Sequence, residues 1–439
     1  MTASASAFVP HPPIAHTEVT LPGGLRIIAL RQPHLSRAHV ALHVRTGSRF
    51  ESKKNNGVSH FLEHMLYRGT PGLPRAHDVN DAFERLGGYL YAATHVDYGV
   101  FSVTHPPETT HEVLARFADV VANPTFADIE LEKGIVVEEI LEDKNEEGEE
   151  IDPDNLSRHL IYGSHPLGFA ITGEAETVEG FDVATLRAHH QKHYTQAASV
   201  LVLSGCAVDD AVIAHAAKTF GDLARGERID TKPPPAVGST PLFMFVPNAG
   251  SQVELRVCFR GLSEKDTLKP AVELLMRVLD DGMSTRLYHR LCDDAGLCYN
   301  VSANFDGYED DGVLDFAASC ASERAGRVVK EIFGVLAELA QDGPTPAELD
   351  KAKKRYARDV RATRDGLEDL AGFYANGRLF DRFETPWERL ARVDALDADD
   401  VRRAAQSFVT PGGVGVVAVG SLEAKHHDKL VKIVDSWGK

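Results

Sequence analysis

Cysteine is scarce in this 439-residue chain: Cys206, Cys258, Cys292, Cys298 and Cys320 are an odd set with no C-x-x-C pair. That argues against a disulfide framework and predicts a reducing, cytoplasmic setting. Basic charge is short as well. The 47 Lys and Arg stand against 65 Asp and Glu, a net charge of −18. No basic stripe exists to neutralise phosphates, which disfavours nucleic acid as a partner, whereas a basic peptide would be drawn by the field. No apolar run approaches a membrane span. Met1–His16 has no basic region and no long apolar run, and no arginine precedes Arg26. Neither a secretory signal nor a mitochondrial transit sequence is expected there. The rest is ordinary for a globular protein, with 43% hydrophobic and 26% charged residues and a length that suits two or more domains.

Against that background Ser59–Gly69 stands out. His60, Glu63 and His64 occupy positions i, i+3 and i+4, so on a helix they share one face. Two imidazoles at that spacing reach one metal ion, with a carboxylate beside it. The pattern H-x-x-E-H is that of inverted zincins. Phe61, Leu62, Met65 and Leu66 flank it, so the helix is expected to be buried and its histidines to have a purpose there. A third ligand has candidates in Ile129–Asp143, which reads as an acidic helix. Glu139 lies 75 residues after His64, Glu138 is its immediate neighbour, and Glu132 stands two turns earlier on the face of Glu139.

These residues resemble the pitrilysin/insulinase family of zinc metallopeptidases, which includes the mitochondrial processing peptidase and small bacterial peptidases. The resemblance implies one zinc ion per chain, held by His60, His64 and Glu139, the last chosen over Glu138 because an aliphatic residue, Ile140, follows it. It implies that Glu63 is the general base and that Glu132 orients the site from behind. The family strand that accepts substrate by backbone pairing corresponds to Leu90, Tyr91, Ala92, Ala93 and Thr94, with Tyr91 where the family has Asn. Glu84, just before it, is either a further partner for a ligand histidine or a surface residue. Active members also supply an Arg and, seven residues on, a Tyr that grips the peptide carbonyl. Tyr299 matches the Tyr, while Cys292 stands in the Arg position. The resemblance therefore implies a zinc endopeptidase of peptides or unfolded segments. Its two-domain length implies a chamber closed by a second subunit, either another copy or a homologous chain carrying the Arg/Tyr pair. The alternative is a non-catalytic assembly subunit like the family's respiratory-complex core proteins, against which the intact H-x-x-E-H and Glu139 argue.

Periodicity predicts an α+β chain of two tandem, similar, sandwich-like domains. Strands are expected at 17–21, 25–30, 39–44, 89–94, 100–104 and 200–204, with helices over 78–86, 111–121, 127–145, 155–162, 183–193 and 209–223. Residues 226–241, with Lys232-Pro233-Pro234-Pro235, read as a stiff linker between domains 1–225 and 242–439. Beyond it the order repeats: strands at 241–246, 253–259, 297–305, 313–318 and 414–419, helices at 271–280, 285–294, 324–341, 346–364, 397–408 and 422–437. Both halves close on an apolar strand, a glycine (Gly205, Gly420) and an amphipathic helix, the mark of a duplication. The second half has no H-x-x-E-H and is expected to hold no metal.

Overall fold

The computed structural model describes residues 14–438, so the reading of Met1–His16 falls almost wholly outside the described residues. Two sheets organise the chain. The first contains β1 (Ala15–Thr20), β2 (Arg26–Arg31), β3 (Ala38–Val44), β4 (Leu90–Thr94), β5 (Gly99–His105) and β6 (Ser199–Gly205), in the order β1-β2-β6-β3-β5-β4. The second contains β7 (Leu242–Pro247), β8 (Val253–Arg260), β9 (Cys298–Gly307), β10 (Gly312–Cys320) and β11 (Val414–Gly420), in the order β7-β11-β8-β10-β9. Setting β1 aside, the two orders coincide. The single parallel pair of each sheet, β2 with β6 and β7 with β11, occupies the same place. The duplication is thus a topological fact, and β4 and β9 are equivalent edge strands.

The two closing glycines have a steric reason. Gly205 and Gly420 adopt φ of +114° and +141°, and a Cβ at either would stand 2.3 or 2.7 Å from the carbonyl oxygen of Arg37 or Gln252. Only glycine turns the chain there without a clash.

The halves are not independent bodies. The helix Pro153–Tyr162, from the first half, lies on the second sheet, where Leu156 packs with Val417 and Val419 and Ile161 with Cys258 and Val313. The helix Glu368–Leu379, from the second half, lies on the first sheet, where Leu370, Tyr374 and Leu379 pack with Ile28, Leu30, Val200 and Val202. Each half lends one helix to the outer face of the other's sheet. Buried ion pairs follow the same seam. Arg158 meets Asp315 at 2.8 Å, Arg49 meets Asp310 at 2.5 Å, and Arg45 pairs with Glu309.

Three departures from the expected elements are instructive. The helices Glu368–Leu379 and Pro386–Ala395 were not expected. The first carries Gly372 and Gly377 and packs against a sheet distant in sequence, so its periodicity is diluted. The second carried a readable start: Thr385 and Glu388 form a reciprocal capping box around Pro386. The expected helix 285–294 is one α turn, Arg286–Tyr288, continuing into a π-helical turn, His289–Asp294.

Two outcomes follow. Leu370→Ala empties a site between the halves and should cost about 2–5 kcal/mol, read by denaturant titration. Because the helices are exchanged, the melt should remain one transition, and two resolved transitions would contradict the exchange. Burial, above all, also holds the imidazoles of His39 and His193 down at about 4 and that of His43 at about 3, against an ordinary 6.5. The unfolded chain then binds protons that the fold refuses. Stability should fall as pH drops from about 6.5 toward 4, and an unfolding series across that range that stays flat would contradict it.

Candidate metal centre

The H-x-x-E-H segment forms the helix Val58–Leu66, buried along Val58, Phe61, Leu62, Met65 and Leu66. Its start is fixed by a residue the sequence gave no reason to choose. The buried Glu51 carboxylate accepts hydrogen bonds from Gly57 N at 2.7 Å, Ser59 N at 2.8 Å and Asn56 Nδ2 at 2.9 Å. The two backbone amides among them are unpaired donors of the helix N-terminus, where negative charge is favoured. Ser59 Oγ adds an anchor, 3.1 Å from His189 Nε2 and 3.1 Å from Gly47 N, which donates to it.

From this helix His60 and His64 face the acidic helix Ile129–Glu142. His60 Nε2 lies 3.5 Å from Glu139 Oε1, and His64 Nε2 lies 3.6 Å from Glu139 Oε2. All three donor atoms lie within 4.8 Å of one another. Tetrahedral ligands at zinc bond lengths stand roughly 3.4 Å apart, and the two His–Glu139 separations match that spacing, so the donor set suits a zinc-type ion. Burial, then the His64 charge, holds His60 down at about 3, which keeps its lone pair free of a proton. Glu138, the rival ligand, points to solvent.

Glu132 stands behind His64. Its Oε1 is 2.8 Å from His64 Nδ1, and its other oxygen is taken by Arg68. Burial disfavours charge on His64, yet the Glu132 hydrogen bond and the surrounding carboxylates outweigh it and raise its proton affinity. With Nδ1 tied to Glu132, Nε2 is aimed at the donor cluster. Arg68, in the turn just past the end of the motif helix and four residues after His64, is a second residue the sequence reading passed over, although its spacing was visible. Glu84 is exposed, in keeping with its surface alternative, and His64 takes Glu132 as its partner.

Glu63 points the same way as the histidines. Thr94 Oγ1 donates to Glu63 Oε2 at 2.5 Å, while burial pushes the Glu63 carboxyl up. Thr94 ends β4, the outermost strand of its sheet, whose far edge has no strand partner among the described residues. Along β4, Leu90 turns into the core, Tyr91 is 51% exposed, and Ala92 and Ala93 are half-buried. The structure therefore brings His60, Glu63, His64, Thr94, Glu132 and Glu139 together. Tyr299 lies outside that cluster, on β9, and is 93% exposed. The nearby arginines do not fill the Cys292 position: Arg290 is held by Glu338 at 2.9 Å and Arg286 by Glu348 at 2.6 Å.

Comparison with known proteins gives the family and the fold. Residues 26–173 match the family described as insulinase (peptidase family M16), and residues 180–356 match the peptidase M16 inactive domain. The uncharacterized zinc protease YmxG of Bacillus subtilis is 28% identical over 401 residues, covering 89% of this chain and 95% of its own. An uncharacterized zinc protease of Mycobacterium tuberculosis is 31% identical over 346 residues, covering 77% and 78%. The crystal structure of a peptidase M16 inactive domain from Pseudomonas fluorescens superposes with a TM-score of 0.85 at 22% identity, covering 93% of this chain and 99% of that one. A protease from Helicobacter pylori gives 0.84 at 20%, covering 92% and 99%. The chain belongs to the insulinase family, peptidase family M16.

Metal titration tests the donor set. Glu139→Gln should lose high-affinity zinc, while Glu138→Gln keeps it. Glu132→Gln, which loosens His64, should weaken zinc about 10- to 100-fold. Equal affinity in the Glu139 and Glu138 variants would contradict the assignment.

Proposed function

We propose that the chain is a zinc-dependent endopeptidase cleaving peptides or unfolded protein segments, with one zinc per chain held by His60, His64 and Glu139. The observation that carries this reading is the convergence of three donors within 4.8 Å, with the Glu63 carboxylate alongside. When bound, zinc supplies a Lewis acid that polarises the scissile carbonyl and acidifies water.

The protein's own groups do the rest. Glu63 Oε1 accepts the proton of the attacking water and passes it to the leaving amine nitrogen. Thr94 holds the other Glu63 oxygen, so only one oxygen turns toward the reaction. Glu132, charged through Arg68, keeps His64 in a single tautomer. The β4 edge pairs with the substrate backbone, which tolerates many sequences and lays the peptide beside Glu63. Leu90, turned into the core, takes part through its main chain only.

A second subunit, either another copy or a homologous chain, closes the chamber in this reading, and the Arg/Tyr pair of a homologous chain supplies the oxyanion donor that Cys292 cannot. Tyr299 then grips the carbonyl from the β9 edge. Five cysteines without a C-x-x-C pair favour the cytoplasm as the compartment, with the periplasm as the alternative.

Two measurements test these parts separately. Glu63→Gln should retain zinc while hydrolysis of a quenched peptide falls about 10²- to 10⁴-fold; a zinc-loaded variant at full rate would sink the role. For the chamber, Cys292→Arg should raise the rate of the chain alone by up to about 10²- to 10³-fold. An already fast chain, unchanged by the substitution, would contradict complementation by a partner.

A further inference from the structure

Cys292, the residue that departs from the family pattern, has a neighbour. Its Sγ lies 3.9 Å from that of Cys298. The backbone between them is already closed, since Leu297 N–H donates to Leu291 O at 2.8 Å. Cys292 sits in the π-helical turn His289–Asp294 and is partly exposed, whereas Cys298 opens β9 and is buried. Both sides are anchored. Arg290 is clamped by Glu338, and Ala303 N of β9 donates to Asp280 Oδ2 at 2.9 Å. A third thiol, Cys320, stands opposite Cys298 in the β9/β10 register. The three thiols are not a metal-type cluster: among the described residues such a group forms only at His60, His64 and Glu139.

We infer that Cys292 and Cys298 form a reversible modification site, a thiol pair that closes to a disulfide by exchange with a low-molecular-weight disulfide such as oxidised glutathione. The inference is independent of the peptidase reading. The partly exposed Cys292 is the entry point. Its thiolate attacks one sulfur of the small disulfide, which leaves as one thiolate and gains a proton, giving a mixed disulfide on Cys292. The Cys298 thiolate then attacks Cys292 Sγ, forming the Cys292–Cys298 bond and expelling the second small thiol. Two protein thiols are oxidised, and one small disulfide is reduced to two thiols. Closure needs the sulfurs to approach from 3.9 Å to a bond of about 2.05 Å, within a loop whose backbone is already closed by the Leu297–Leu291 hydrogen bond. The bond would tie the π turn to β9 immediately before Tyr299. Burial raises the Cys292 thiol and pushes Cys298 up to about 12, so exchange at neutral pH is slow and quickens as the medium becomes alkaline.

The native full chain, incubated with oxidised glutathione and compared with a dithiothreitol-treated sample, decides the matter. Free thiols should fall from the five of the sequence to three. Cleavage at aspartate separates all three cysteines, because Asp293 and Asp294 lie between 292 and 298 and Asp306 between 298 and 320. The fragments should remain linked through Cys292–Cys298 and return to free thiols on reduction. Cys292→Ser should retain all four of its thiols, and Cys320→Ser should still lose two. Five thiols surviving in the parent chain, a stable mixed disulfide on Cys292, or a bond mapped to Cys298–Cys320 would each overturn the inference.

Discussion

One carboxylate, Glu139, must stand between two imidazoles that belong to a different helix, and much of the first half serves that meeting. The motif helix cannot drift because Glu51 holds its first amides and Ser59 is tied to His189. The acidic helix cannot drift because Glu132, two turns from Glu139, bonds His64 and Arg68 across the gap. The two contacts between the helices differ in kind. His64–Glu132 is a hydrogen bond at 2.8 Å, whereas the Glu139 oxygens stop 3.5 and 3.6 Å short of the imidazoles. The first is a strut. The second leaves roughly the ligand separation of a tetrahedral ion.

The rest of the fold sets where this centre faces. β4 is the edge of its sheet among the described residues and ends at the Thr94 hydroxyl that holds Glu63, so a sheet edge and the Glu63 carboxylate are neighbours by construction. The duplicated sheet repeats the edge at β9 without the metal donors, and Tyr299 stands on it. The exchanged helices lock the sheets to each other through apolar faces and through Arg45, Arg49 and Arg158. The sequence led one to expect two tandem domains and a metal motif in the first alone; the exchanged helices make the two sheets parts of one packed body.

Local signals in the sequence carried well. The i, i+3, i+4 spacing put His60, Glu63 and His64 on one face, and the seven-residue step put Glu132 and Glu139 on another. Strand alternation and the glycines at 205 and 420 announced the repeat. What depended on distant contacts was hidden. Glu51 caps a helix from across a turn, and nothing in its neighbourhood distinguishes it from other acids of the chain. The helix Glu368–Leu379 owes its place to a sheet more than 160 residues away, so its own periodicity gave no warning. The expected helix over 285–294 fails for a comparable reason: the turn widens to carry the chain into β9.

The central claim is that a single metal ion bound by His60, His64 and Glu139 gives the chain its activity. The most direct measurement is native mass spectrometry of the purified chain, paired with hydrolysis of a quenched peptide, before and after exhaustive chelation and zinc replacement. The account predicts one zinc per chain and hydrolysis that vanishes with it, both returning together on reconstitution. Hydrolysis that persists undiminished in metal-free protein, or zinc bound equally well by a chain with both histidines replaced, would contradict it.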